Sequence, residues 1–195
     1  MGALGPGPLA RGLKHGRRRI PRVRALVLLV CAALTGCLAP PGPTLVLDAH
    51  AVAPAELLAR LDAHLPGFEE AFNQSQSGDF EHLLAGHARL LERDEGTAER
   101  RVSVGALLFA SPQHAEEAFR RLTRGPSGLT PFTPAEAGDE AMRERGAHRG
   151  GGSDMVIARA DAYVLWVAED ATGAPASLDA LALARVMVEQ SGARA

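Results

Sequence analysis

Ten consecutive apolar or small residues, Ala25 to Leu34, follow a stretch that carries Arg11, Lys14, Arg17, Arg18, Arg19, Arg22 and Arg24 and no acidic residue. As a helix the run would rise only ~15 Å, about half of a bilayer core, which is too short for a span. A basic segment, a short apolar run and the small residues Thr35-Gly36 together form a secretory signal. Residues 1–36 are therefore expected to be removed. What has to fold is the chain from Cys37 onward, outside the cytoplasm.

The tetrapeptide at the end of the run, Leu34-Thr35-Gly36-Cys37, resembles the lipobox of bacterial lipoproteins. The resemblance implies a diacylglyceryl group on the Cys37 thiol, cleavage before Cys37 and acylation of the freed amine. Several acyl chains at ~0.8 kcal/mol per buried methylene hold a protein at a membrane far better than one. Leu38 rather than Asp follows the cysteine. By analogy with enterobacterial sorting, this implies the outer membrane if the cell is Gram-negative, and otherwise the outer face of the cell membrane.

Cleavage changes the chemistry left to the chain. It takes seven of the 21 basic residues and none of the 23 acidic ones, leaving 14 against 23 and a net charge of −9. An acidic surface argues against a nucleic-acid partner. Lys14 is the only lysine, so a Schiff-base, P-loop or Ser–Lys chemistry is excluded from the mature chain. Of the two cysteines, Cys31 lies in the signal and Cys37 is consumed by lipid. No thiol remains for a disulfide, a nucleophile or a Cys-based zinc site.

The prolines Pro40, Pro41, Pro43 and Pro54 make residues 37–54 a stiff tether, followed by one domain over 55–195. Leu57, Leu58, Leu61 and Leu65 stand at helical spacing before Pro66-Gly67. Asn73 to Gly78 reads as a polar loop. Ala88–Arg93 and Arg101–Ala110 read as a hairpin, in which Leu107 and Phe109 point away from the face of Val102, Val104 and Leu108. Ser111 and Pro112 open a helix with Ala115, Ala118, Phe119 and Leu122 as its apolar stripe. A Gly/Pro/Thr-rich loop runs from Gly125 to Gly138. Three strands then follow, Glu140–Arg145, Met155–Arg159 and Ala162–Ala168, the last apolar on both faces. Ser177 is expected to cap a final helix that offers Leu178, Leu181, Ala182, Ala184 and Val188 for burial.

The order α-ββα-βββα predicts an α+β fold, an antiparallel sheet of about five strands with the helices packed on one face. By element order alone, over roughly Leu65 to Gln190, it loosely resembles small secreted α+β sensor or lipoprotein domains, some with a PsbP/Mog1-like fold.

No catalytic constellation is legible. Gly146 to Gly152 leads into a strand, unlike a phosphate loop, and reads as a hairpin turn. The histidines show no His-Glu-x-x-His spacing, and Gly125-Pro126-Ser127-Gly128 is no nucleophile elbow. Gly138-Asp139-Glu140-Ala141 reads as a turn in which Asp139 bonds local amides, or else as the rim of a groove with Arg143 and Arg145. Tyr163 and Trp166, the only residues of their kinds, read as core; an open sheet face would make them line a concavity. Residues placed to face a ligand are thus Tyr163, Trp166, Arg143, Arg145 and His148. The reading is a non-catalytic lipoprotein with no cofactor and no metal, whose domain binds a protein or small-molecule partner. The alternative is a carrier of an apolar or lipid-like molecule, and behind it stands an uncharacterised hydrolase.

Overall fold

Four leucines set the first element. Leu57, Leu58, Leu61 and Leu65 are all buried, on a helix α1 (Pro54–Ala59) that tightens into a 3-10 turn (Arg60–His64). Pro54 occupies the first helical turn, where its missing N–H costs nothing, and it is buried; it belongs to the domain rather than to the tether. Gly67, at φ 77°, lets the chain reverse after the helix. The computed structural model describes residues 51–76, 80–124, 131–148 and 150–193; of His148 only the backbone is described. The lipobox, the tether up to residue 50 and the 125–130 part of the Gly/Pro/Thr-rich loop lie outside the described residues.

The strands are β1 (Glu69–Gln76), β2 (Leu83–Asp94), β3 (Glu99–Phe109), β4 (Thr133–Ala135), β5 (Glu140–His148), β6 (Gly151–Ala160) and β7 (Tyr163–Thr172). They form one antiparallel sheet in the order β1-β2-β3-β7-β6-β5-β4. Two further helices complete the domain, α2 (Pro112–Arg124) and α3 (Ala180–Gln190). Among the described residues no helix is long and apolar enough to cross a membrane.

Two expectations need correction. The sheet has seven strands, not about five: Asn73 to Gln76 belongs to an edge strand, and Thr133–Ala135 interrupts the long loop. β1 is polar and mostly exposed, so it lacks the alternation that betrays a half-buried strand. The helices also cover both faces. α1 and α3 pack against Val102, Val104, Val156, Leu165 and Val167 on one side. α2 packs by Ala115, Ala118 and Phe119 against Leu107, Phe109, Ile157, Val164 and Trp166 on the other. The physical reason is that β3 and β7 sit in the middle of the sheet and are apolar on both faces. Each face therefore needs a cover.

The turns follow their residue chemistry. The β5–β6 turn holds Gly150 at φ 92° and the β6–β7 turn holds Asp161 at φ 50°, in the region that Gly and Asp tolerate best. Ser111 Oγ accepts from the His114 N–H at 3.4 Å, as expected of the α2 cap. α3 is capped otherwise than expected: Asp179 accepts from the Ala182 N–H, while the Ser177 N–H donates to Glu169. One residue offered for burial, Ala182, is exposed, and Ala180, Leu183 and Met187 take its place.

Candidate functional site

The five residues expected to face a ligand are not brought to one place. Tyr163 is buried on the α1/α3 face, where its hydroxyl donates to the Val52 carbonyl at 2.7 Å. Trp166 is buried on the α2 face, with Nε1 donating to Ser103 Oγ at 3.4 Å. Arg143 makes a two-pronged pair with the buried Asp154, Nε to Oδ1 at 2.8 Å and Nη2 to Oδ2 at 2.5 Å. That carboxylate, and Asp179 at 3.6 Å, hold the Arg143 guanidinium above its ordinary range against the opposing effect of burial. Arg145 is exposed and stands 3.6 Å from Asp154. The side chain of His148 lies outside the described residues.

Tyr163 fastens the start of the domain to the sheet. Burial raises its hydroxyl pKa, partly offset by the bond to Val52, and nearby Asp161 adds to the rise. A folded-state pKa above the unfolded value means stability is intact below about pH 10 and is lost as pH rises through the folded value. Since Tyr163 is the only tyrosine, tyrosinate absorbance reads this group directly. We expect it to titrate with alkaline unfolding, and Tyr163→Phe to cost ~1 kcal/mol at neutral pH while weakening the alkaline loss.

Asp139 follows neither reading of its segment as expected: its partners are not local, and the depression it borders is lined by neither Arg143 nor Arg145. Its Oδ2 accepts from the backbone N–H of Asp161 at 2.7 Å and from Arg159 at 3.0 Å, so the amide it caps is 22 residues away rather than local. The same segment borders an open depression of ≈ 450 Å³ against α3, lined among others by Glu136, Asp139, Glu140, Arg185 and Glu189. Arg185 Nε donates to the Glu136 carbonyl there. Such a carboxylate-rich lining does not suit an apolar guest.

Among the described residues no group of three His, Cys, Asp or Glu side chains converges to hold a metal ion. His82 and His87 do not meet. His82 stacks on His114 with ring centroids 3.8 Å apart, and His87 lies beside Ser75. Burial lowers the His87 pKa, as does Arg89, with Glu70 opposing.

The α2 face offers a different site. α2 lies over β3, β7 and β6, and the β1–β2 side of that face extends beyond it. Strand alternation puts Phe72, Gln74 and Gln76 of β1 on this face, beside Leu90, Ala88 and Gly86 of β2. A bulge between Glu70 and Phe72 turns Phe72 onto this side, while Glu70 points to the other face and pairs with Arg89 at 2.6 Å. Phe72 is 44% exposed, the one large hydrophobic so exposed among the described residues. At the other end of the strip Gln76 is only 4% exposed, and neither Oε1 nor Nε2 has a hydrogen-bond partner. Leaving a buried amide group unpaired costs about 1–3 kcal/mol. Nothing in the sequence marked this residue. Phe72-x-Gln74-x-Gln76 has the period of a strand, but two of its three positions are polar.

No family model matches the chain, and no curated protein matches it. Its fold is shared with a solved structure, the extracellular domain of PknH from Mycobacterium tuberculosis. The TM-score is 0.52 and the identity 9%, and the match covers 74% of this chain and 98% of that one. At that identity the likeness is one of fold.

Proposed function

We propose that this chain is an exported lipoprotein, held to a membrane by lipid on Cys37, whose α+β domain binds a ligand rather than transforming one. The observation that carries the binding half is the strip on the α2 face. Phe72 stands 44% exposed there, and a partner laid over it buries apolar area, whereas the Gln76 amide is enclosed by the protein and takes no part in the contact. The export half rests on the signal and the tetrapeptide ending at Cys37. The shared fold with PknH supports it, since that domain is extracellular. The carboxylate-rich depression beside α3 lends no support to a carrier of apolar molecules.

Two measurements test this reading. Cells fed an alkyne-tagged fatty acid should label the native chain, and Cys37→Ala should lose the label entirely. Label that persists on the variant, or a mature chain with an unmodified Cys37, overturns the anchor. For binding, native mass spectrometry of protein from the producing organism should show retained ligand mass that Phe72→Glu releases. Turnover of a hydrolase or transferase substrate, abolished by one point substitution, would instead make the chain an enzyme.

A further inference from the structure

We propose that the corner where residues 80–82, leading into β2, meet the start of α2 is an acid-responsive clasp, closed by the stacked imidazoles of His82 and His114 and opened when both rings carry a proton. The rings lie there with centroids 3.8 Å apart and planes 23° from parallel. The clasp stands apart from the strip at Phe72, and either can fail without the other.

Each ring is brought to the stack by a different segment. His114 lies in the first turn of α2, behind its cap; Ser111 Oγ accepts from the His114 backbone N–H at 3.4 Å and lies 2.9 Å from its Nδ1. His82 precedes β2 with its backbone at φ 61°, a left-handed conformation that residues with a side chain adopt rarely. Its carbonyl accepts from the Ala110 N–H at 3.0 Å, so the residue that supplies one ring also closes the chain onto the start of α2. Two residues earlier, Phe80 lies edge-on to Phe109 with centroids 5.9 Å apart, and the Arg121 guanidinium lies 5.3 Å from the Phe80 ring. The stack holds the strained backbone of His82 in the conformation in which its carbonyl meets Ala110.

Histidine is the side chain that ordinarily changes charge between about pH 5 and 8. Neutral rings gain contact from stacking, but two charged rings 3.8 Å apart repel, with no room for water between them to screen the charge. The first turn of α2 adds to the repulsion, because its unpaired N–H groups make that end of the helix positive. The charged groups around the pair do not reverse the sign. Glu81 beside His82, Glu117 one turn along α2 from His114, and Asp161 in the β6–β7 turn are all exposed, where salt and water weaken their attraction. Arg121, over Phe80, is itself positive. In acid the His82 ring turns away, its backbone leaves the left-handed region, and the Ala110 N–H loses its acceptor.

Amide hydrogen exchange of the purified full chain tests the clasp. Between about pH 7.5 and about pH 5, the protection of the Ala110 amide, corrected for the pH dependence of free exchange, should fall roughly tenfold or more. Val104, in the middle of β3, should change less than about twofold over the same range. His114→Phe keeps a ring against His82 but cannot take the second charge. His82→Gly, at an exposed position where φ 61° suits glycine, removes one ring with no risk to the fold. Both variants should hold the protection of Ala110 nearly constant with pH. Protection of Ala110 that is unchanged in the native chain would overturn the clasp. An equal fall in His82→Gly would also overturn it, because the response would then belong to carboxylates elsewhere and not to the stack.

Discussion

Replacing Glu169 by alanine is expected to destabilise the domain by about 3–5 kcal/mol, the range found when one partner of a buried ion pair is removed. Glu169 is 2% exposed in the middle of the sheet. Its Oε1 accepts from Arg100 Nη1 at 2.8 Å, and its Oε2 accepts from the backbone N–H groups of Ser177 and Leu178, both at 2.8 Å. One carboxylate thus neutralises a buried guanidinium and also ties the segment before α3 down onto the sheet. Arg100 is held in place by Glu95 at 2.9 Å and by the Pro175 carbonyl at 3.2 Å, so it stays behind when Glu169 is removed. Its guanidinium is pushed above the ordinary range, by Glu95 first and by Glu169 after it, with burial opposing. Urea unfolding should show a lower midpoint with an unchanged slope, because the surface exposed on unfolding is the same. Hydrogen exchange at Ser177 and Leu178 should rise more than elsewhere. Glu169→Gln, which keeps an acceptor for the two amides but loses the charge, should fall between alanine and the native protein.

Gly105→Ala is the second substitution with a large expected effect. Gly105 of β3 pairs with Trp166 of β7, and the indole lies flat across the space where a Cβ would stand. An added methyl would stand only 1.9–2.3 Å from Cζ2, Cη2 and Cε2 of the six-membered ring. The ring has little room to retreat, since it packs with Ile157, Val164 and Leu107 under α2. Overpacking costs about 1–3 kcal/mol, and this site should reach the upper end, lowering the melting temperature by roughly 6–12 °C for a domain of this size. Trp166→Leu in the same chain should recover part of the loss. The two changes together should cost clearly less than their sum, because they share one space. Equal thermal stability of Gly105→Ala and the native protein would show that the indole is free to move.

How far the fold was legible depended on how locally each choice is made. The leucines of α1, the Ser111-Pro112 start of α2, and the two-faced strand Tyr163 to Ala168 carry their signals in neighbouring residues, and the structure agrees at each. β1 was misread because it lies at the edge. An exposed edge strand buries little, so its sequence needs no apolar alternation and has the composition of a loop. The cap of α3 was misread for a related reason. Ser177 has the right type, but its N–H is claimed by Glu169, which lies on another strand.

The site shows the same division. Tyr163 and Trp166 drew notice as the only residues of their kinds, and both are in the core, on opposite faces. Gln76 drew none. It is buried beside Gly86, which only sheet pairing brings to it.

Residues alone determined an antiparallel α+β chain with no lysine beyond Lys14 and no cysteine beyond Cys37, and they carry the apolar run on which the proposed secretory signal rests. Those properties depend on composition and on periods of two to four residues. Tertiary structure decided that the helices divide between the two faces, that a polar segment closes the sheet as β1, and that one glutamine amide is buried without a partner. Each of these depends on contacts between distant segments, such as Arg100 with Glu169, 69 residues apart, where the energy lies in a pairing that no local pattern encodes.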